Sequence, residues 1–240
     1  MSLTDFTERS HETLITQAPS AELAPKEEGL SVADLPNTRR AVSAGNGEVL
    51  ADIFQADINM AIWQRELSSS IASDCRSLLN SGVHPNRRIL LPTAKIERLG
   101  EALPELGPYP HLCADIQLLA DMFSYLFELS GVGIRLTTLS GAMCPKFHVD
   151  RVPCRLITTY LGTGTEWLAP DSIDPNTLDL KANQEFPPTS INHLACGSVA
   201  LLKGELWEGN EGAGLIHRSP SVEPGQLRLL LTFDFGSADE

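Results

Sequence analysis

Apolar positions along the chain change their period near residue 131. Before it, the spacing is mainly three and four, which predicts helices. Asp57 stands where a cap is expected for a helix carrying Ile58, Ile62, Trp63 and Leu67. A second helix is predicted through Ile71, Cys75, Leu78 and Leu79, stopped at Ser81-Gly82. The clearest one follows Pro110, where Leu112, Ile116, Leu119, Phe123, Leu126 and Phe127 line one face and Gly131 sits at the stop.

After Gly131 the period becomes two. Short runs at Ile134–Leu139, Arg155–Leu161, Ser198–Lys203, Gly214–His217 and Leu227–Phe235 are rich in apolar and β-branched residues and separated by Gly, Pro and Asp. In the last run Leu227, Leu229, Leu231, Phe233 and Phe235 point one way; Arg228, Leu230, Thr232 and Asp234 point the other. One face is built for a core, the opposite face for something polar. The expected fold class is α+β, with N-terminal helices packed on a C-terminal barrel of strands. Residues 47–240 form a single domain in this reading, helical over 47–131 and β over 132–237. Residues 168–193 hold four prolines and several acids, too long for a hairpin turn, and form a candidate lid. Residues 1–46 show no sustained periodicity and are expected to be a disordered acidic tail.

Composition narrows the function classes. With 240 residues, 42% hydrophobic and 20% charged, the chain has the make-up of a globular protein with one sizeable core. No apolar run approaches the ~20 residues of a membrane span, and the N-terminus lacks a secretory pattern, so a cytoplasmic protein is expected. A formal net charge of −13 repels phosphate backbones and anionic lipid heads, so neither nucleic acid nor membrane is an expected partner. The five cysteines are odd in number and form no C-x-x-C pair, which reads as reduced thiols.

The candidate chemistry starts at His148-Val149-Asp150. Residues i and i+2 on an extended strand project to the same side, so an imidazole and a carboxylate can share a metal ion. On spacing alone the motif reads first as a surface His beside a turn Asp. It gains weight from His217 on a later strand and from Arg228, eleven residues further, on the polar face of the last strand. Two His and one carboxylate on one face of Fe(II) leave three adjacent positions, enough for a bidentate 2-oxo acid and O₂. A buried Arg can clamp the far carboxylate of such an acid with two parallel hydrogen bonds.

The run Cys144-Pro-Lys-Phe-His148-Val-Asp150-Arg-Val-Pro153, with Arg155–Gly162 and Gly164–Leu168 after it, resembles the DUF1826 family. Asp57–Arg65, Leu202–Glu205 and His217–Pro220 fit the same family, and the resemblance spans about residues 47–236. More distantly, the order H-x-D, R-x-x-T-x-Y-L, G-T-E-W, H-R-x-P and a strand-borne Arg is similar to prolyl-hydroxylase-like Fe(II)/2-oxoglutarate oxygenases. That similarity implies a double-stranded β-helix, a jelly-roll or cupin-like barrel. It implies His148, Asp150 and His217 as iron ligands and catalytic centre, with Arg228 on the 2-oxoglutarate C5 carboxylate. Tyr160 is a further candidate donor to that co-substrate. Where many such oxygenases have Ser or Thr two residues after the basic one, this chain has Leu230, with Thr232 on the same face.

The expected activity is hydroxylation or demethylation of a small molecule or a protein side chain. The alternative is a non-catalytic protein holding zinc at the same three residues, with Cys144 as a possible fourth ligand and Cys154 nearby in sequence. Trp167 and Trp207 are candidates for the cavity mouth, and Arg151 or Arg218 for a partner of Asp150.

Overall fold

A computed structural model describes residues 39–170, 173 and 185–237. The expected tail, apart from its last eight residues, and half of the 168–193 segment lie outside the described residues.

Among the described residues ten strands and three α-helices follow one another: β1 (Arg40–Ala44), β2 (Ile58–Trp63), α1 (Ser69–Asn80), β3 (Asn86–Pro92), α2 (Leu99–Ala102), α3 (Pro110–Leu126), β4 (Gly131–Leu139), β5 (Cys154–Leu161), β6 (Glu166–Leu168), β7 (Ile191–His193), β8 (Val199–Lys203), β9 (His217–Arg218) and β10 (Arg228–Gly236). Seven strands make one sheet in the order β1-β2-β8-β5-β10-β4-β3, and three make a second in the order β7-β6-β9. All pairings are antiparallel except β1 with β2. From β4 onward the chain alternates between the sheets. It leaves β4, touches β9 at a bridge through His148, returns in β5, crosses to β6 and β7, and comes back in β8; it then crosses to β9 and ends in β10. That alternation is the connectivity of a jelly roll.

The helices are fixed by local chemistry. Ser68 Oγ accepts the Ile71 amide at 3.2 Å and caps α1. Pro110 opens α3, and the Asp74 carboxylate of α1 accepts the free amides of His111 and Leu112 at 2.8 and 3.1 Å. Cys75, Leu78 and Leu79 of α1 and Leu112, Ile116, Leu119 and Phe123 of α3 share one apolar cluster with Ile134, Leu136, Leu156, Leu231 and Phe233 of the large sheet. Each such side chain, fully buried, contributes roughly 1.5–3 kcal/mol. On the other face of the large sheet, Ile157, Ala200, Leu202 and Leu230 meet Trp167, Leu194 and Leu215 in a separate cluster. β10 thus divides as its alternation predicts, Leu229 and Leu231 toward the helices and Leu230 away.

Four expectations are corrected. Ile58–Trp63 is a strand, not a helix, and Asp57 caps nothing: its carboxylate pairs with Arg40 at 2.7 Å. The strand is apolar on both faces, with Ala61 in the helix-side cluster and Met60 and Ile62 in the other. A doubly covered strand loses its period of two, and Ile58 and Ile62 then fall at a helical spacing. Arg40–Ala44, assigned to the tail, pairs along β2 as an edge strand. Asn86–Pro92, within the stretch read as helical, is the opposite edge. The strand expected over Gly214–His217 is only His217–Arg218. Among the described residues no helix is long and apolar enough to cross a membrane.

Candidate metal centre

A single backbone bridge assembles the site. The His148 amide donates to the His217 carbonyl, and the His217 amide to the His148 carbonyl, each at 3.0 Å. Residues that exchange both bonds stand directly opposite with side chains on one face. The two imidazoles therefore lie side by side, ring centres 4.7 Å apart. Asp150, two residues after His148, reaches the same spot: Oδ1 lies 3.5 Å from His148 Nε2, and Oδ2 lies 3.3 Å from His217 Nε2. One ligand atom from each residue falls within 4.8 Å of the others, as a shared cation requires.

Each ring is turned by its backbone. His148 Nδ1 lies 2.9 Å from the Lys146 carbonyl and His217 Nδ1 lies 3.1 Å from the Leu215 carbonyl. A carbonyl only accepts, so Nδ1 carries the proton in both rings, and Nε2 is the atom available to a metal. The carboxylate is held as firmly. Arg155 Nη1 donates to Asp150 Oδ2 at 2.6 Å, while its Nε and Nη2 donate to Asp234 at 2.7 and 2.9 Å. Burial of Asp150 opposes its ionisation, but hydrogen bonds from His148 and His217 and the charges of His217 and Arg155 outweigh it. Its carboxyl stays well below the usual range. The hydrogen bond to Asp150 raises the His148 imidazole above its ordinary value, against the effect of burial. The loop carrying Asp150 is clamped from β8: the Glu205 amide donates to the Asp150 carbonyl at 2.8 Å, and at Gly204 a Cβ would run into the Val152 and Asp150 carbonyls.

Arg228 lies deeper in the same cavity, whose walls include His148, His217, Arg135, Arg155, Leu230 and Thr232. It is 1% exposed, and among the described residues no carboxylate pairs with it. Its Nη1 donates to Ser219 Oγ at 3.0 Å, and its Nη2 to Thr159 and Thr165 Oγ1 at 3.0 and 2.9 Å. Nε has no partner. Burial alone pushes the guanidinium down to about 10. A charge taken out of water and met only by hydroxyls is expensive unless an anion joins it.

Tyr160 is elsewhere. Its hydroxyl donates to Asp115 Oδ2 of α3 at 2.6 Å, and Asp115 also receives a two-pronged ion pair from Arg65 at 2.7 and 2.8 Å. Leu156 and Tyr160 belong to the helix-side cluster, whereas Arg155, Ile157 and Thr159 face the cavity. A register shift between β5 and β10 leaves Tyr160 as the extra residue of a bulge, still directed at the helices. Trp207 packs against Phe54 and Phe127, and Trp167 sits in the apolar cluster between the sheets, lining a different cavity. Arg218 pairs with Glu166 at 2.5 Å, and Arg151 is exposed. Cys144 is exposed on the cavity wall and Cys154 is buried on the helix side; neither joins the three ligands. The residues that sequence reasoning missed are Arg155, Thr159, Thr165, Ser219 and Asp234. The signal for two of them was present, since Arg155 and Thr159 alternate with the apolar Leu156 and Tyr160 of β5.

Among solved structures, the chain is similar to a dioxygenase for auxin oxidation from rice: 13% identity, 84% of each chain covered, TM-score 0.48. It is also similar to dioxygenase for auxin oxidation 1 from Arabidopsis thaliana in a binary complex with 2-oxoglutarate (9% identity, 84% of this chain and 94% of that one, TM-score 0.48). A third is a prolyl-4-hydroxylase from Pseudomonas putida (12% identity, 79% and 93%, TM-score 0.44). No curated protein matches the sequence. The model of a family described as a protein of unknown function, DUF1826, matches residues 44–234, and the chain belongs to that family.

Proposed function

We propose that this chain is an Fe(II)- and 2-oxoglutarate-dependent oxygenase that hydroxylates or demethylates a small molecule or a protein side chain. The observation that carries the reading is the convergence of two imidazole Nε2 atoms and a carboxylate beside one cavity, which also holds a buried guanidinium with no acid beside it among the described residues. The three ligands suit a divalent ion of the iron type with positions left over. The guanidinium, with its Nε–H and one Nη1–H unused, suits the far carboxylate of a bound diacid.

His148, Asp150 and His217 would hold Fe(II), which when bound with a 2-oxo acid supplies O₂ activation. The overall change balances as substrate C–H, 2-oxoglutarate and O₂ going to substrate C–OH, succinate and CO₂. Arg228 holds the C5 carboxylate, and Ser219, Thr159 and Thr165 fix the plane of its guanidinium. Thr232 stands on the same wall. Leu230 and Ile157 keep that end apolar, which strengthens the ion pair by excluding water. Arg155 donates to Asp150 Oδ2 and turns that carboxylate, adding to the pull of His148 and His217 that keeps it ionised.

Anaerobic titration with Fe(II) and then 2-oxoglutarate tests the reading. A weak visible charge-transfer band is expected, lost in His148→Ala. In Arg228→Ala, 2-oxoglutarate affinity is expected to fall about 100-fold, the usual scale for truncating one partner of a buried charge pair. Protein that retains zinc and ignores 2-oxoglutarate would overturn the oxygenase in favour of a metal-holding role.

A further inference from the structure

The cavity's charges balance, with one exception. Arg155 is shared by Asp150 and Asp234, which leaves one negative charge, and Arg228 offsets it. A divalent cation and a dianionic co-substrate would cancel each other. Arg135 is left over. It lies half-buried on the cavity wall, on the inward face of β4, and has no acid partner among the described residues.

The register of the large sheet adds a second observation. Arg135 stands directly opposite Thr232 of β10 on one side and directly opposite Arg88 of β3 on the other. Directly opposite residues share a face, so the two arginines are cross-strand neighbours. Leu91 and Ile89 of β3 turn toward the helices, while Arg88 shares the opposite face with Arg135, which lines the cavity. Arg88 is exposed and likewise has no acid partner among the described residues; Glu105 pairs with Arg87 on the other face. Like charges directly opposite destabilise a sheet. Retaining such a pair, next to a cavity and within a chain of net charge −13, is a local rule broken at a place where an anion would repair it.

We infer that Arg88 and Arg135 form an oxyanion subsite at the mouth of the cavity, which receives a carboxylate or phosphate group of a small-molecule substrate. The substrate is therefore an acid, anchored by its anionic group at the β3–β4 edge and extending inward along Thr232 toward the three metal ligands. The word substrate rests on the oxygenase reading; the subsite itself does not.

Thermal unfolding of the full chain, in low-chloride buffer with millimolar probes, separates the two. The probes are inorganic phosphate, benzoate and its neutral match benzamide; the proteins are wild type, Arg88→Gln, Arg135→Gln and Arg228→Gln. Without anion, both edge variants are expected to melt about 1–3 °C above wild type, because the repulsion is gone. At ten times Kd, phosphate and benzoate should raise the wild-type Tm by about 4 °C, and benzamide should not. The rise should vanish in Arg88→Gln and Arg135→Gln and persist in Arg228→Gln. An undiminished rise in either edge variant, a rise lost in Arg228→Gln, or benzamide matching benzoate would overturn the subsite. If instead 2-oxoglutarate with Fe(II) gives wild type no stabilisation while the phosphate pattern holds, the oxygenase reading fails and the subsite stands.

Discussion

Neighbouring residues of β5 should separate stability from co-substrate binding. Tyr160→Phe removes one hydroxyl from the fully buried contact with Asp115. A hydrogen bond to an ionised group contributes about 1.5–3 kcal/mol, and Asp115 Oδ2 keeps its 2.8 Å bond from Arg65, so it is not left bare. The loss should therefore sit near the lower end, about 2 kcal/mol. For a domain of this size that lowers Tm by about 4–8 °C. Because the ring stays in the helix-side cluster and the cavity wall is untouched, 2-oxoglutarate affinity should not change. Thr159→Val is the mirror experiment: it removes one of two hydroxyls that orient Arg228 Nη2, and Thr165 remains. Affinity should weaken about fivefold, the scale of one ordinary hydrogen bond, with little change in Tm. The assays are urea or thermal unfolding beside anaerobic titration with 2-oxoglutarate. A Tyr160→Phe protein with unchanged Tm and weakened 2-oxoglutarate binding would refute the assignment of faces.

Asp234→Asn should lower divalent-metal affinity about tenfold, since it loosens the Arg155 fork that holds Asp150. Competition with a chromophoric chelator measures this, and an unchanged affinity would show that Arg155 needs no anchor. Lys203, 2% exposed with its ammonium on the Gln55 carbonyl and beside the Trp207 ring, is pushed down to about 8, by burial first and then by Arg39. Between about 8 and the ordinary 10.5, the unfolded chain binds more protons at this side chain than the folded one. Stability from this group therefore rises with pH across that window. Urea unfolding of wild type and Lys203→Met from pH 7.5 to 10.5 should show the rise in wild type only, and parallel curves would count against it.

Much of the site was legible because it rests on local periodicity. His148 and Asp150 share a side by the two-residue repeat of an extended chain, and the alternation of Leu227–Phe235 alone put Arg228 on the polar face. Those inferences need no knowledge of neighbours. The helices after Ser68 and Pro110 were equally local, being set by a Ser cap in one, a Pro start in the other and a three-to-four spacing in both.

What the sequence could not decide were matters of pairing. Ile58–Trp63 reads as a helix because both its faces are covered, and only β8 and β1 beside it make it a strand. Tyr160 and Thr159 are adjacent, and which of them meets the cavity depends on the β5–β10 register and its bulge. Asp150 finds Arg155 rather than Arg151 or Arg218 because β10 carries Asp234 to the same guanidinium. By itself the amino-acid order determined which residue types could bind a metal and an anion, and on which side of its own strand each would stand. The tertiary structure decided which strands lie next to one another. Contacts between residues 69 or more positions apart, such as His148 with His217 and Thr159 with Arg228, come from hydrogen-bonded register between segments, and no local spacing encodes that.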